Sequence, residues 1–255
     1  MPDRRKHRGP HPEDGRLFAP EVWPVLRRAV AELCWLLSRD YPQKSALKLV
    51  GDRYALVARQ RTAVERCACS ETAARERLSR RVGPSEVRGR PLWIDGYNVL
   101  TTIEAALAGA VLLPGCDGTY RDMASMHGSF RKVTETLPAL ELVGRVIAAL
   151  APGRCVWYLD RPVSNSGRLK TLMGQLAAEN GWPWAVELVP DPDHVLADPS
   201  AATGETASAR VIVATADSVI LDRCGAWFNL ARETVFRHIP EARVVEMAAD
   251  TATDC

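Results

Sequence analysis

The sequence predicts an α/β domain over residues 91–250, built on a mostly parallel sheet flanked by helices and preceded by a small all-helical module. Three observations predict it. Apolar residues recur at helical spacing up to about residue 82; after Pro91 the pattern switches to short apolar strands alternating with helices; and every one of those strands ends in an aspartate.

Residues 1–19 are charged and rich in Pro, Gly and His without periodicity, and are expected to be a disordered tail. Residues 20–90 read as a basic helical domain and linker. Val22, Leu26, Val30, Leu33 and Leu37 mark one amphipathic helix, and Leu47, Val50, Tyr54 and Val57 mark another after a break at Asp40-Tyr41-Pro42, with Ser45 placed to cap. Ser70 to Val82 is helix-compatible and dense in arginine (Arg75, Arg77, Arg80, Arg81). Gly83-Pro84 ends it, and a linker is expected from there to Arg90. Beyond Pro91, strands are expected at Leu92–Ile94, Cys155–Leu159, Trp184–Val189 and Val211–Ala214, with helices at Leu137–Leu150 and about Gly167–Glu179. Such alternation implies parallel strands joined by right-handed crossovers. Trp182, Trp184 and Trp227 are expected in the core.

Composition narrows the class. With 47% apolar and 25% charged residues the chain is ordinary for a globular protein. No window approaches 18 uninterrupted apolar residues and no apolar run follows the N-terminal charges, so neither a membrane span nor a signal peptide is expected, and the expected compartment is the cytoplasm. Seven cysteines at irregular spacing do not make a disulfide framework. Cys67 and Cys69 are their only close pair, a poor zinc signature without further ligands, and the thiols are read as reduced and mostly buried. The net charge of +2 hides an asymmetry: residues 1–90 carry 20 Lys and Arg against 11 Asp and Glu, and residues 91–255 carry 13 against 20. A basic part beside an acidic one fits docking on phosphates by the first and cation binding by the second; a solvated helix face next to an unrelated acidic domain fits as well.

Functional crevices of open α/β sheets lie outside the carboxyl ends of the strands. There the sequence places Asp95, Asp160, Asp191 or Asp193, and Asp217. Carboxylates converging on one edge repel one another unless a cation is present, and hard divalent ions prefer oxygen, so the cluster points to Mg²⁺ or Mn²⁺. Capping of the following helix is the better explanation for any one of these residues taken alone; four together favour metal.

The string Trp93-Ile94-Asp95-Gly96-Tyr97-Asn98-Val99-Leu100 resembles the first strand of PIN-like domains of the NYN type, and Val211-Ile212-Val213-Ala214-Thr215-Ala216-Asp217-Ser218 resembles their late strand. The N-terminal part, with Arg53-Tyr54, Arg59-Gln60-Arg61 and Arg66-Cys67-Ala68-Cys69, resembles a small helical domain of unknown function found fused to PIN-like domains in uncharacterised prokaryotic proteins. The resemblance implies a metal-dependent endoribonuclease in which Asp95, Asp160, Asp193 and Asp217 hold Mg²⁺ or Mn²⁺ and serve catalysis. The sequence departs from the pattern at the early helix, where Glu141 is only a candidate acid, and at Val219, where a second late acid is usual; Asp222, one turn on, is its candidate substitute. A set so weakened leaves a non-catalytic RNA-binding or ribosome-associated protein as the alternative.

Substrate contacts are expected from Asn98, Thr215 and Ser218, from Arg161, Arg168 and Lys170 flanking a Ser164-Asn165-Ser166-Gly167 turn, and from Arg121 in the Thr119–Asp122 segment. With His127–Arg131 that segment interleaves aromatics and arginines, as single-stranded RNA would require, or it packs down as a lid. Ordinary turn chemistry accounts for Asn98 equally well, and a flexible polar loop is the slightly favoured reading of residues 164–167. RNA is the expected partner, no membrane is, and a homo-oligomer is compatible with the sequence. Nucleotide binding through a glycine-rich loop is disfavoured, since no such motif follows a strand.

Overall fold

The computed structural model describes residues 8–124, 130–199 and 211–247. The first part is helical: α1 (Asp14–Leu17), a 3₁₀ turn at Pro20–Val22, α2 (Trp23–Leu37), α3 (Gln43–Arg53), α4 (Ala58–Cys67), α5 (Glu71–Arg80) and α6 (Pro84–Val87). The second part runs β1 (Pro91–Asp95), α7 (Gly96–Leu107), β2 (Leu113–Pro114), β3 (Tyr120–Arg121), α8 (Thr136–Leu150), β4 (Arg154–Asp160), α9 (Ser166–Asn180), β5 (Trp184–Val189), α10 (Pro192–Ala197), β6 (Ile212–Ala214), α11 (Ser218–Leu221), β7 (Ala226–Phe228) and α12 (Leu230–His238).

Five strands form one sheet in the order β5-β4-β1-β6-β7, each neighbour pair parallel. The chain winds outward from β1 to β4 and β5, then returns to the other side of β1 as β6 and β7. That reversal puts the crevice at the carboxyl ends of β1 and β6. One face of the sheet packs Ile94, Trp157 and Ile212 with apolar residues of α7, α8, α9 and α12; the other packs Trp93, Val156, Val213 and Trp227 with Leu196 and Ile220. Strands buried on both faces explain why their sequences read as continuous apolar runs. Trp227 is fully buried, whereas Trp182 and Trp184 are half-buried and stack on each other.

The structure corrects several expectations. Within the tail, residues 14–18 are packed: Leu17 and Phe18 are buried, and buried Asp14 receives Arg59 Nε and Nη2 at 2.5 and 2.8 Å. The expected linker contains α6, whose Val87 belongs to the core of the α/β part. Ser45 does not cap: α3 starts at Gln43 after Pro42, while Ser70 does cap α5, accepting from the Ala73 N–H at 3.2 Å. The elements without a counterpart in the sequence expectations include α4, α7, β7 and α12. Helix α7 is buried nearly all round and therefore shows no polar face for periodicity to find. The insertion after α7 holds a short antiparallel pair, β2 with β3, outside the parallel sheet.

The core of the helical part is shared with the α/β part. Leu26, Leu33, Val50 and Val64 pack with Val111, Leu113, Val245 and Met247 from the α/β part. Among the described residues no helix is long and apolar enough to cross a membrane.

Candidate functional site

β1 delivers Asp95 to the crevice at 8% exposure. Glycine must follow, because a Cβ at Gly96 would stand 2.8 Å from the Tyr158 carbonyl oxygen and 2.5 Å from Leu159 Cδ2 in β4. Asp95 Oδ1 accepts weakly from the Asn98 N–H at 3.4 Å, capping α7, and Oδ2 accepts from Thr215 Oγ1 at 2.7 Å. Thr215 Oγ1 in turn accepts from the Asp217 N–H at 3.0 Å, and Asn98 Oδ1 accepts from the Ala216 N–H at 2.8 Å. Asn98 and Thr215 thus stitch the end of β6 to the end of β1. Asp217 Oδ1 caps α11, accepting from the N–H groups of Val219 and Ile220 at 2.7 and 3.3 Å.

Asp95, Asp160, Asp193 and Asp217 all line one cavity of about 800 Å³, with Asn98 and Ser218 among its other walls. The ambiguity at the end of β5 resolves: Asp191 is exposed and caps α10, accepting from the His194 N–H at 3.1 Å, while Asp193, two residues on, reaches the cavity. Burial, then the charges of Asp193 and Asp217, push Asp95 up to about 7 against the pull of its Thr215 bond. Asp193 is pushed up to about 6, by partial burial first and then by Asp217, Asp191 and Asp160. It belongs to the exposed residues, so solvent moderates that rise. Asp160 also rises, through burial and then Asp191. As the side chains stand, no three His, Cys, Asp or Glu groups among the described residues are close enough together to hold a metal ion.

The cationic residues expected to meet substrate behave differently. Arg161, Arg168 and Lys170 lie outside the cavity lining: Arg161 Nη2 donates to the Leu188 carbonyl at 3.0 Å, Lys170 faces Glu187 at 4.0 Å, and Arg168 is an exposed residue of α9. Arg121 lines the cavity but is committed elsewhere. Its Nη1 and Nη2 reach Asp117 at 3.1 and 2.7 Å, Nη1 also donates to the Arg66 carbonyl at 3.2 Å, and Nε donates to the Ala216 carbonyl at 2.9 Å. It is a brace behind the Asp217 turn. Asp117 is fully buried and also accepts from Arg77 Nη1 at 2.8 Å and Thr119 Oγ1 at 2.6 Å. Although burial opposes it, the adjacent Arg121 and these bonds hold its carboxyl well below the usual range.

Arg77, 4% exposed, bonds Asp222 Oδ1 through Nε at 2.7 Å, so it is unavailable as a phosphate-docking residue. Asp222 does reach the cavity wall; Glu141 does not, pairing with Arg145 at 3.7 Å on α8. The aromatic–arginine loop is packed down where it is described. Phe130 is buried against Tyr97 with ring centroids 5.5 Å apart, and Arg232 sits over Tyr120; His127, Gly128 and Ser129 lie outside the described residues.

Sequence reasoning missed Asp122, which lines the cavity and accepts from Thr102 Oγ1 at 3.0 Å and the Ala124 N–H at 2.7 Å. It also missed that the helical part supplies a wall, through Arg66, Cys69, Ser70, Ala73 and Arg77. The i,i+4 spacing of Asp117 and Arg121 was the signal available for the brace.

Comparison with known proteins agrees with this two-part organisation. Residues 25–80 match the model described as Protein of unknown function (DUF434). An uncharacterized protein of Methanocaldococcus jannaschii is 25% identical over 196 residues, covering 77% of this chain and 88% of that protein. No solved structure matches the chain. Matched over residues 84–233, more than half its length, the chain belongs to the family described as Domain of unknown function (DUF5616).

Proposed function

We propose that the protein is a divalent-metal-dependent endoribonuclease whose residues 91–250 are a PIN-like domain. The observation that carries the reading is the arrival of Asp95, Asp160, Asp193 and Asp217, from four separate elements, on one cavity at the switch point of a parallel sheet. The rise of Asp95 to about 7 and of Asp193 to about 6 adds to it: burial is the larger cause in both, and the share owed to neighbouring carboxylates is what a cation would relieve. All four donors are hard oxygens, which suits Mg²⁺ or Mn²⁺. When bound, such an ion supplies an activated water and stabilises charge developing on the phosphodiester. Asn98 and Thr215 position Asp95 and the Asp217 turn, Ser218 lines the mouth beside them, and RNA docks through exposed cations of the helical part such as Arg75 and Arg81.

A second reading, a non-catalytic RNA-binding or ribosome-associated protein, draws on the spread of the carboxylates among the described residues and on the use of Asp95 and Asp217 as caps. The two separate in a cleavage assay on single-stranded and hairpin RNA with EDTA-stripped protein, before and after Mn²⁺ or Mg²⁺. The nuclease reading expects metal-restored cutting that falls by at least about 100-fold in Asp217→Asn and Asp193→Asn and is unchanged in Glu141→Gln, which lies outside the cavity. RNA binding without any metal-restored cutting moves the assignment to the second reading.

A further inference from the structure

The seam between the helical part and the α/β part holds a pair of thiols that the proposed nuclease chemistry does not use. Cys34 lies on α2 and Cys116 on the turn joining β2 to β3, 82 positions apart in the chain, with their Sγ atoms 3.5 Å apart. Both are half-buried, whereas Cys67, Cys69, Cys155 and Cys224 are buried. Burial pushes the thiols of Cys67, Cys69 and Cys155 up to about 12 and that of Cys224 to about 11, which leaves them inert. Cys34 goes the other way. The two sulfurs lie within hydrogen-bond distance, either able to donate, and, against the cost of burial, this contact and a backbone N–H from Cys69 favour the Cys34 thiolate. The same contact, then burial, keeps Cys116 protonated.

The backbone holds both ends in place. The Cys116 N–H donates to the Cys67 carbonyl at 2.8 Å, and the Cys34 carbonyl accepts from the Ser38 N–H at 2.9 Å.

We propose that Cys34 and Cys116 are a peroxide-oxidised dithiol, a modification site at which a disulfide closes across the seam. In the first step the Cys34 sulfur attacks one oxygen of hydrogen peroxide. An S–O bond forms, the O–O bond breaks, and the departing hydroxide takes the thiol proton and leaves as water. Cys34 is then a sulfenic acid. In the second step the Cys116 sulfur attacks the Cys34 sulfur: the S–S bond forms, the S–O bond breaks, and the hydroxyl leaves with the Cys116 proton as a second water. Two thiols and one peroxide give one disulfide and two waters, and the two electrons pass from the sulfurs to the peroxide oxygens. The sulfurs move from 3.5 Å to about 2 Å. Because Cys116 precedes Asp117, which holds Arg77 and, through Arg121, the Ala216 carbonyl, the link would fasten α2 to the hairpin bracing the aspartate cavity. The inference stands on the thiol geometry and does not depend on the cavity being a nuclease site.

The test uses the full chain, EDTA-treated, as wild type, Cys34→Ser, Cys116→Ser and Cys69→Ser. After brief hydrogen peroxide treatment and denaturing alkylation, peptide mapping should find one cross-link, Cys34 to Cys116, in wild type and in Cys69→Ser, reversed by dithiothreitol. Cys116→Ser should instead accumulate a dimedone-reactive sulfenic acid at Cys34. The cross-linked wild type should melt higher by on the order of 10 °C, as expected for a loop of this length. A link from Cys34 to Cys67 or Cys69, or native Cys34 alkylating no faster than Cys155 with no cross-link formed, overturns the proposal. So does stoichiometric zinc in untreated protein that is lost in Cys34→Ser, since the pair would then be metal ligands.

Discussion

Replacing Asp95 with Asn in metal-free protein separates a cation ligand from a helix cap. Asp95 is 8% exposed, and burial together with Asp193 and Asp217 lifts its pKa from 3.8 to about 7. A rise of about three units at 1.36 kcal/mol each amounts to about 4 kcal/mol. Since the folded pKa lies above the unfolded one, the unfolded chain releases this proton first as pH rises. The stabilising contribution is therefore whole below about pH 4, declines between about 4 and 7, and is gone above about 7. Asn keeps an acceptor for Thr215 Oγ1 and carries no charge. In EDTA at pH 8, Asp95→Asn should be more stable than wild type by up to about 4 kcal/mol, with the gap closing toward pH 4. Adding Mn²⁺ at pH 8 should stabilise wild type and leave the variant unmoved. Urea titrations at pH 4.5, 6 and 8, with and without Mn²⁺, measure this. A variant weaker than wild type by about 1 kcal/mol at every pH would refute the reasoning and leave Asp95 as a cap alone.

Two further outcomes follow from the arginines. Charge reversal of exposed Arg75 and Arg81 should flatten the dependence of RNA affinity on salt, read as the slope of log K against log salt; an unchanged slope places the RNA surface elsewhere. Arg77→Ala, which leaves Asp117 buried with Arg121 as its remaining ion-pair partner, should destabilise the fold by about 3 kcal/mol in urea titration; a cost below about 1 kcal/mol would mean that Arg121 suffices.

The strands and the aspartates at their ends were legible because both are local: β1, β4 and β5 are short apolar runs, and Asp95, Asp160 and Asp217 stand at or just beyond the strands' ends. What depended on distant residues was not legible. Gly96-Tyr97-Asn98 passes for a turn until β4 lies alongside and requires the glycine, and α7 loses its periodicity because it is enclosed. Arg121 and Arg77 read as free cations because the acid that consumes both, Asp117, is 40 positions from Arg77 and stands just before the Thr119–Asp122 segment, whose aromatic and arginine suggested RNA. Residues flanking a strand end are also poor guides to what faces the crevice. Arg161 follows Asp160 directly, yet it turns to the β5 carbonyl of Leu188.

The two parts of the chain share their packing. Val111 and Leu113 from the insertion after α7, with Val245 and Met247 from the C-terminal segment, complete the core of the helical part, while the Leu112 backbone pairs with residues 243 and 245. The insertion therefore does two jobs at once. Its apolar side closes the helical core, and its polar side carries Arg121 and Asp122 to the cavity, with Asp117 buried behind them. A basic module that merely tethered substrate would need no such shared core, since a linker supplies effective concentration alone. Here Arg77 from α5 and Arg121 from β3 converge on Asp117, and Arg121 bonds the carbonyl next to Asp217. The helical part is thus built into the wall of the cavity, so a ligand in that cavity meets both parts within the reach of one side chain.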